Sequence, residues 1–317
     1  MSGATEIDRA GLTRSAAYAS IATALFLIGL KGWAAWRTDS TAMLGSLADT
    51  ALDLLASVVT LAGVWYAARP ADATHRFGHG KAEALAAIVQ VMLIAVSATG
   101  IAARAIGRLV DGGETAAAQE GIAVSVIAML ATLLLLWWQQ RVIRLTGSVA
   151  IRTDNVHYQS DLLLNAAVIA ALVLDQYLGW TQADPLFGLA IAAWLLWGAF
   201  RAGADAVDMV MDREWPEEKR ARFLEVLARH PELHGVHDLR TRSSGALDFV
   251  QFHASVDPAM TVAEAHRVMD EIEARLEAEF PGVEVLIHPD PAGLQREEGL
   301  AAEELLPGAQ GTTGAGG

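Results

Sequence analysis

The sequence predicts an α-helical membrane protein with six transmembrane helices, followed by a small α+β domain. Of its 317 residues, 53% are hydrophobic and only 19% are charged, which is too apolar for an ordinary soluble domain. Six apolar stretches each supply the roughly 20 residues that a helix needs to cross a bilayer. After about residue 212 the long apolar stretches stop, and short segments with helix and strand periodicity follow.

The six predicted spans occupy residues 16–36, 41–68, 85–110, 121–138, 156–178 and 185–207. The first is predicted to be a retained span, because acidic residues precede it and no small-residue cleavage site is present. Basic residues cluster in alternate connections: Arg9 and Arg14, then Arg69, Arg76 and Lys81, then Arg141, Arg144 and Arg152, and finally Arg213. By the positive-inside rule, both termini and the second and fourth connections of this multi-pass chain are cytoplasmic.

The remainder of the chain predicts the element order αββαβ. Residues 216–230 and 261–279 have amphipathic helical patterns, and Thr261 with Glu264 forms a capping-box signature. Residues 236–242, 247–256 and 283–288 have strand patterns. We therefore expect a transmembrane domain over residues 1–211, an α+β domain over 212–292 and a disordered tail over 293–317.

Composition also limits the partners. The formal net charge is −14, which argues against nucleic acid, and the chain has no cysteine, so thiolate metal sites are excluded. The run Gly78-His79-Gly80-Lys81 resembles the end of a P-loop but lacks the upstream glycine and the preceding strand, so ATP binding is not expected.

Two pairs with i, i+4 spacing stand inside apolar spans: Asp49 with Asp53, and His157 with Asp161. Each pair shares one helix face. At 1.5 Å per residue, Asp53 lies roughly 18 Å from Trp65 and Asp161 roughly 14 Å from Arg152, which places both pairs at similar depth on antiparallel helices. The antiparallel directions bring Asp53 beside His157 and Asp49 beside Asp161. Ionisable groups at such depth predict a functional site, here a divalent-metal site; the alternative is that they only join helices by hydrogen bonds.

The same residues suggest proton coupling. Three clustered carboxylates repel one another in apolar surroundings, so an empty site should take up protons, and His157 adds a group that titrates near neutral pH. A divalent cation must displace those protons, because metal ligands bind in the deprotonated form. Competition between metal and protons for one site is the chemical basis of an antiporter.

Two further groups of ligands lie outside the predicted spans. Asp72, His75 and His79 in the second connection could form a three-ligand, partly hydrated metal site, or simply a solvated turn. In the α+β domain, a convergent site is plausible, with two metals bridged by Asp290; its candidate ligands are His237, His253, His266, His288 and Asp290. The alternative is that these histidines are separate surface residues.

Taken together, the motifs SLADTALDLLAS, PADATHRFGHGKAEALAA, HYQSDLLLN, HDLRTRSSG and IHPDP resemble the cation diffusion facilitators. The resemblance covers residues 12–292 and is closest to the bacterial zinc and ferrous-iron efflux transporters of the YiiP type. It implies a homodimer of six-span subunits, each with a ferredoxin-like cytoplasmic domain. It also implies that Asp49, Asp53, His157 and Asp161 form the transport site, and that the loop and α+β-domain ligands form two further metal sites.

These observations predict a transporter rather than an enzyme: a proton-coupled antiporter that exports a divalent metal. The His at position 157 resembles the family's zinc and cadmium pattern, so Zn²⁺ is the expected substrate, with Cd²⁺, Fe²⁺, Co²⁺ and Mn²⁺ as alternatives. Two rival functions stay open, a membrane-anchored metal sensor or scaffold that moves no metal, and a passive channel. Strong ligands at mid-membrane argue against the channel, because they hold a cation too tightly for fast passage.

Overall fold

Six long helices form the first part of the chain in the computed structural model, which describes residues 8–38, 41–111, 122–180, 182–229, 234–245 and 247–293. Each has 25 to 30 residues, about 37–45 Å at 1.5 Å per residue, enough to cross a bilayer. They are α1 (Arg9–Thr38), α2 (Thr41–Ala67), α3 (Ala82–Asp111), α4 (Ile122–Thr146), α5 (Val149–Leu178) and α6 (Ala183–Val210).

Within the described ranges, five of these helices, all except α5, are long and apolar enough to be membrane spans by length and composition. Helix α5 is as long as α1 and α3, carries the predicted ligands His157 and Asp161, and packs against α2, α3, α4 and α6. The predicted architecture of six membrane helices followed by an α+β unit is thus confirmed. The predicted tail lies outside the described residues, apart from Gly293.

Three helices extend seven or eight residues beyond their predicted ends, and one of them is α1, which begins at Arg9 rather than at residue 16. Helix α5 begins at Val149, seven residues before the predicted span, and α4 continues to Thr146, eight residues past it. The added turns are polar, so hydropathy alone does not detect them. The start of α5 is stabilised by Glu83 of α3, whose carboxylate accepts hydrogen bonds from the Ser148 hydroxyl at 2.6 Å and from first-turn backbone amides of α5.

Small residues hold the membrane helices close together. Alanines with almost no exposed surface lie at the helix contacts, among them Ala87 on α3, Ala150 on α5 and Ala206 on α6. At Gly63 on α2, a Cβ atom would lie 2.3 Å from that of Ala86 on α3, so only glycine permits this approach. Small residues at such contacts are typical of membrane helix packing, where dispersion replaces the hydrophobic effect.

From Met211 onward the chain forms a second compact unit. Its elements are α7 (Glu217–Leu227), β1 (His234–Ser244), β2 (Leu247–Val256), α8 (Val262–Glu279) and β3 (Val283–Pro291). The sheet order is β1-β2-β3, with β1 antiparallel and β3 parallel to β2. A core around Phe223, Phe252 and Phe280 joins the helices to the sheet.

Candidate metal centres

The intramembrane centre joins α2 to α5. Asp53 Oδ1 lies 3.0 Å from His157 Nε2, and Asp161 offers a carboxylate oxygen within 4.8 Å of both other ligand atoms. The side chains of Asp53 and His157 are only 15% and 10% exposed. Asp49 lies one turn before Asp53 on α2, and its side chain is outside the described residues. Three of the four predicted ligands are therefore brought together. Asp53 on α2 and His157 on α5 are 104 residues apart in the sequence.

This geometry suits a divalent cation. One imidazole nitrogen and two carboxylate oxygens are ligand types that zinc accepts, and a tetrahedral zinc site has a fourth position for one further ligand. Held in apolar helices, the two carboxylates require a compensating charge, which a metal ion or protons can supply. The centre can consequently exchange one kind of cation for another.

A buried carboxylate beside this centre was not predicted from the sequence. Asp154 on α5 has no exposed surface and lies one turn before His157. Its carboxylate accepts hydrogen bonds from Ser20 on α1, Gln90 on α3 and Gln139 on α4. The available sequence signal was an acidic residue three positions before His157, on the same side of the helix.

The loop centre lies between α2 and α3. Asp72 Oδ1 is 3.4 Å from His75 Nδ1, and its Oδ2 is 3.4 Å from His79 Nε2, so all three predicted ligands meet. His79 is buried and packs edge-on against Tyr66 at the end of α2, with ring centroids 4.8 Å apart. Its Nδ1 has no hydrogen-bond partner among the described residues.

Local hydrogen bonds keep Asp72 ionised. The Thr74 hydroxyl donates to Asp72 Oδ1 at 2.7 Å, and the backbone amides of His75 and Thr74 donate to the same oxygen. These bonds hold the pKa of the Asp72 carboxyl well below its ordinary value, although the side chain is exposed. Asp72 is thus available as a charged ligand at any physiological pH.

Strand register creates the third centre. His237 of β1 is opposite His253 of β2, which is opposite His288 of β3, so three imidazoles form one row across the sheet. Asp290 lies two residues after His288 and therefore points to the same face. Its Oδ2 is 2.8 Å from His253 Nδ1 and 3.4 Å from His237 Nε2, while Oδ1 is 3.4 Å from His288 Nε2. Asp290 has one oxygen toward each of two possible metal positions.

The five predicted ligands of this unit are not all equivalent. His237, His253 and Asp290 have ligand atoms within 4.8 Å of one another, whereas His288 is more exposed and approaches only one oxygen of Asp290. His266 on α8 is not brought to the cluster; its Nδ1 lies 3.3 Å from Asp270 Oδ1, one turn along the same exposed helix face. Its role as a ligand stays a prediction.

Asp238 also borders the sheet centre, and the sequence analysis did not identify it. Its φ of 52° is unusual for a residue other than glycine and coincides with a register irregularity between His237 and Arg240. Arg240 contacts both carboxylate oxygens at 3.1–3.2 Å, and Oδ2 lies 3.8 Å from His253 Nε2. The irregularity thus places a carboxylate on the side of the His253 ring opposite Asp290.

Known proteins match both structural units. Residues 17–211 match the cation efflux transmembrane domain, and residues 215–292 match the cation efflux protein cytoplasmic domain, the family's dimerisation domain. The cation-efflux pump FieF of Pectobacterium atrosepticum is 43% identical over 89% of this chain and 94% of its own. FieF of Escherichia coli O127:H6 is 40% identical over 91% of this chain and 96% of its own.

A solved structure of a proposed zinc transporter, CzrB, in its zinc form is 36% identical over 27% of this chain and 99% of its own, with a TM-score of 0.26. Membrane-length helices that match the cation efflux transmembrane domain, followed by an α+β unit that matches the family's cytoplasmic domain, define a multi-pass cation efflux transporter. The chain belongs to the cation diffusion facilitator, or cation efflux, family.

Proposed function

We propose that the protein is a proton-coupled antiporter that exports a divalent metal, foremost zinc, from the cytoplasm across the bacterial inner membrane. Both termini lie in the cytoplasm, and the protein works as a homodimer without ATP and without an enzymatic reaction. The transmembrane domain occupies residues 1–211 and the cytoplasmic domain residues 212–292.

One observation carries this proposal: Asp53, His157 and Asp161 meet within apolar helices. A site that only joined helices would need two partners, whereas three ligand atoms here lie within 4.8 Å and accept the same cation. Asp49 precedes Asp53 by one turn of α2, and we assign it as the fourth ligand.

Proton coupling follows from the chemistry of these ligands. Without metal, two adjacent carboxylates in apolar surroundings are best stabilised by protons or by a protonated imidazole such as that of His157. Zinc binding requires the deprotonated ligands and so releases protons. Alternating exposure of one such site to the two sides of the membrane exchanges metal for protons.

The other two centres serve regulation or assembly in this proposal. The sheet centre can hold metal between His237, His253 and Asp290, with His288 as a further ligand of a second ion. His266 would join that ion only if its side chain turned away from Asp270. Metal there steadies the dimer of cytoplasmic domains. The loop centre of Asp72, His75 and His79 binds metal beside the end of α2.

The test is zinc flux into proteoliposomes, with and without a pH gradient, for the wild type and for Asp161→Ala. We expect the gradient to accelerate flux at least several-fold in the wild type and Asp161→Ala to abolish it. Flux that ignores the gradient would favour a passive channel. Metal binding with no flux in the wild type would favour a sensor. Competition by Cd²⁺, Fe²⁺, Co²⁺ and Mn²⁺ in the same assay ranks the substrates.

A further inference from the structure

A buried polar network lies against the intramembrane centre and joins five helices. Its middle is the carboxylate of Asp154, which receives hydrogen bonds from Ser20 Oγ at 2.6 Å, Gln139 Nε2 at 2.8 Å and Gln90 Nε2 at 3.1 Å. All four residues have 0–1% exposed surface. A polar network buried this completely in membrane helices fixes their relative positions, because each broken bond would leave an unpaired group in apolar surroundings.

Gln90 connects this network to the other ligand-bearing helix. Its Nε2 also donates to the Thr60 hydroxyl and lies 3.4 Å from the Ala56 carbonyl oxygen, both on α2. One amide nitrogen of α3 thus donates both to α2 and to Asp154 of α5. A second tie runs nearby, where the Tyr158 hydroxyl lies 2.9 Å from Ser57 Oγ of α2.

The positions of these contacts relate directly to the ligands. Ser57 and Thr60 lie one and two turns after Asp53 on α2, whereas Asp154 and Tyr158 flank His157 on α5. We call the linked residues Thr60, Gln90 and Asp154 the brace. The brace links α2 to α5 within two turns of the point where Asp53 meets His157. Metal–ligand bonds of about 2.0–2.2 Å tolerate little change in that spacing.

We propose that Asp154 and Gln90 are positioning residues of the intramembrane metal site. The brace sets the separation of Asp53 from His157 and thereby the site's affinity for zinc and its preference for zinc over a larger cation. This inference rests on the proposed function of that site in binding the transported metal. It assigns roles to residues that do not themselves touch the metal.

The hydrogen-bond donors and acceptors of the brace suggest a selective perturbation. Asp154→Asn replaces one acceptor oxygen by an NH₂ group. Its remaining oxygen can still accept from Ser20 and Gln139, but its NH₂ group then faces Gln90. To accept that bond, the Gln90 amide must turn its Oε1, which has no partner within the described structure, and so withdraw Nε2 from Thr60. Asp154→Asn should therefore weaken the tie to α2 while α1 and α4 stay attached, because the Thr60 hydroxyl loses the bond from Gln90 and can donate to Oε1 only by leaving the Ala56 carbonyl.

The reciprocal exchange restores the link. With Gln90→Glu added to Asp154→Asn, the new carboxylate accepts from the asparagine NH₂ group and from the Thr60 hydroxyl. Thr60→Val cuts the brace at its α2 end only, with little change in volume. Thr153→Val is the matched control, because Thr153 is buried on α5 and its hydroxyl donates to the Val149 carbonyl of the same helix.

The experiment measures zinc and cadmium affinities of the purified full-length protein by calorimetry, with His75→Ala and Asp290→Ala removing the other two candidate sites. We expect Asp154→Asn to weaken zinc binding by roughly tenfold to a hundredfold, the usual effect of losing a group that orients a ligand. Cadmium binding should weaken less, since a wider site suits the larger ion. The double exchange should recover most of the affinity, and Thr153→Val should match the wild type.

Unchanged zinc affinity in Asp154→Asn, or equal losses for zinc and cadmium without recovery in the double exchange, would overturn the brace. If Asp154→Asn does not fold, Thr60→Val decides by the same criteria. Asp53→Ala, in the same background, tests the proposed function apart from the brace. If this variant still binds zinc at the intramembrane centre, the proposed function fails, whatever the brace variants show.

Discussion

At the scale of single residues, the same ligand types serve in two different surroundings. Asp53 and His157 are shielded within apolar helices, so their charges depend on each other and on a bound cation. Asp72 is half-exposed, yet donors from Thr74 and His75 hold its pKa low and keep it ionised. Asp72 thus keeps the loop centre charged at neutral pH, whereas the proposed antiport requires the intramembrane centre to change its proton content with metal binding.

Thr74→Val tests whether the Thr74 hydroxyl keeps Asp72 of the loop centre ionised for metal binding. Loss of the 2.7 Å hydroxyl bond should raise the pKa of Asp72 toward its ordinary value and weaken zinc binding at this centre by about tenfold. Because the lowered pKa favours the ionised form, the wild-type carboxylate keeps its charge as pH falls, and the variant should lose loop-bound zinc at higher pH. The measurement is zinc competition against a chelator over a pH series, in protein carrying Asp53→Ala and Asp290→Ala.

Thr99→Val serves as the control for that experiment, since the Thr99 hydroxyl bonds only its own helix, at the Ala95 carbonyl. Identical pH curves for Thr74→Val and the unmodified loop would contradict the role of the Thr74 hydroxyl in preparing Asp72.

The sequence predicted part of the intramembrane centre for a clear reason. Helical periodicity and depth are local properties, and they were enough to pair Asp53 with His157, which the structure places 3.0 Å apart. The role of Asp154 was not predicted because its partners are far away in the sequence, and nothing local indicates that they meet. Ser20, Gln90 and Gln139 are 134, 64 and 15 residues away. Hydrogen-bond networks between helices depend on rotation and tilt, which hydropathy does not record.

At the scale of elements, strand register does most to bring the ligands of the sheet centre together. Parallel pairing of β2 with β3 aligns His253 with His288, and antiparallel pairing of β1 aligns His237 with His253. The number and order of elements could be predicted from periodicity, whereas the parallel pairing could not. It arises because α8 crosses over between β2 and β3, a tertiary arrangement that the pattern of either strand leaves undetermined.

Thr261→Ala tests the capping box that starts α8. The Thr261 hydroxyl accepts from the Glu264 amide, and Glu264 accepts from the Thr261 amide and hydroxyl. Losing this cap should cost about 1 kcal/mol, so the first-turn amides of α8 should exchange hydrogen about fivefold faster. Glu271→Gln is the control, because its exposed pair with Arg267 contributes little.

The same cap predicts a pH dependence. Hydrogen bonds from Thr261 lower the pKa of Glu264, so their stabilisation is present above the ordinary glutamate pKa and is lost as pH falls through the folded value. The difference in exchange between Thr261→Ala and the wild type should shrink in that acidic window. A constant difference across it would contradict the ionised capping role of Glu264.

At the scale of the whole molecule, each of the two units carries its own candidate metal centres. The unit before Met211 holds the intramembrane and loop centres, and the unit after it holds the sheet centre. A formal net charge of −14 favours the approach of cations to all of them. In the proposed function, metal at the sheet centre stabilises the protein while metal at the intramembrane centre is transported.

Asp290→Ala tests that separation. Zinc bound only to the folded state stabilises it by about 2.7 kcal/mol per site at a hundred times Kd. We expect zinc to raise the melting temperature of the full-length wild type more than that of Asp290→Ala, since this carboxylate contacts three imidazoles. Zinc binding at Asp53, His157 and Asp161 should persist in the variant. Glu284→Ala, which alters an exposed carboxylate on the same strand, should behave as the wild type; an unchanged zinc shift in Asp290→Ala would refute the assignment.

The central claim is that metal and protons exchange at the centre formed by Asp53, His157 and Asp161. Simultaneous recording of zinc entry and internal pH in proteoliposomes, driven by a zinc gradient alone, tests it most directly. Zinc entering through the wild type should expel protons and make the interior more alkaline, and Asp161→Ala should show neither zinc entry nor a pH change. Zinc entry without a change in internal pH would contradict the exchange.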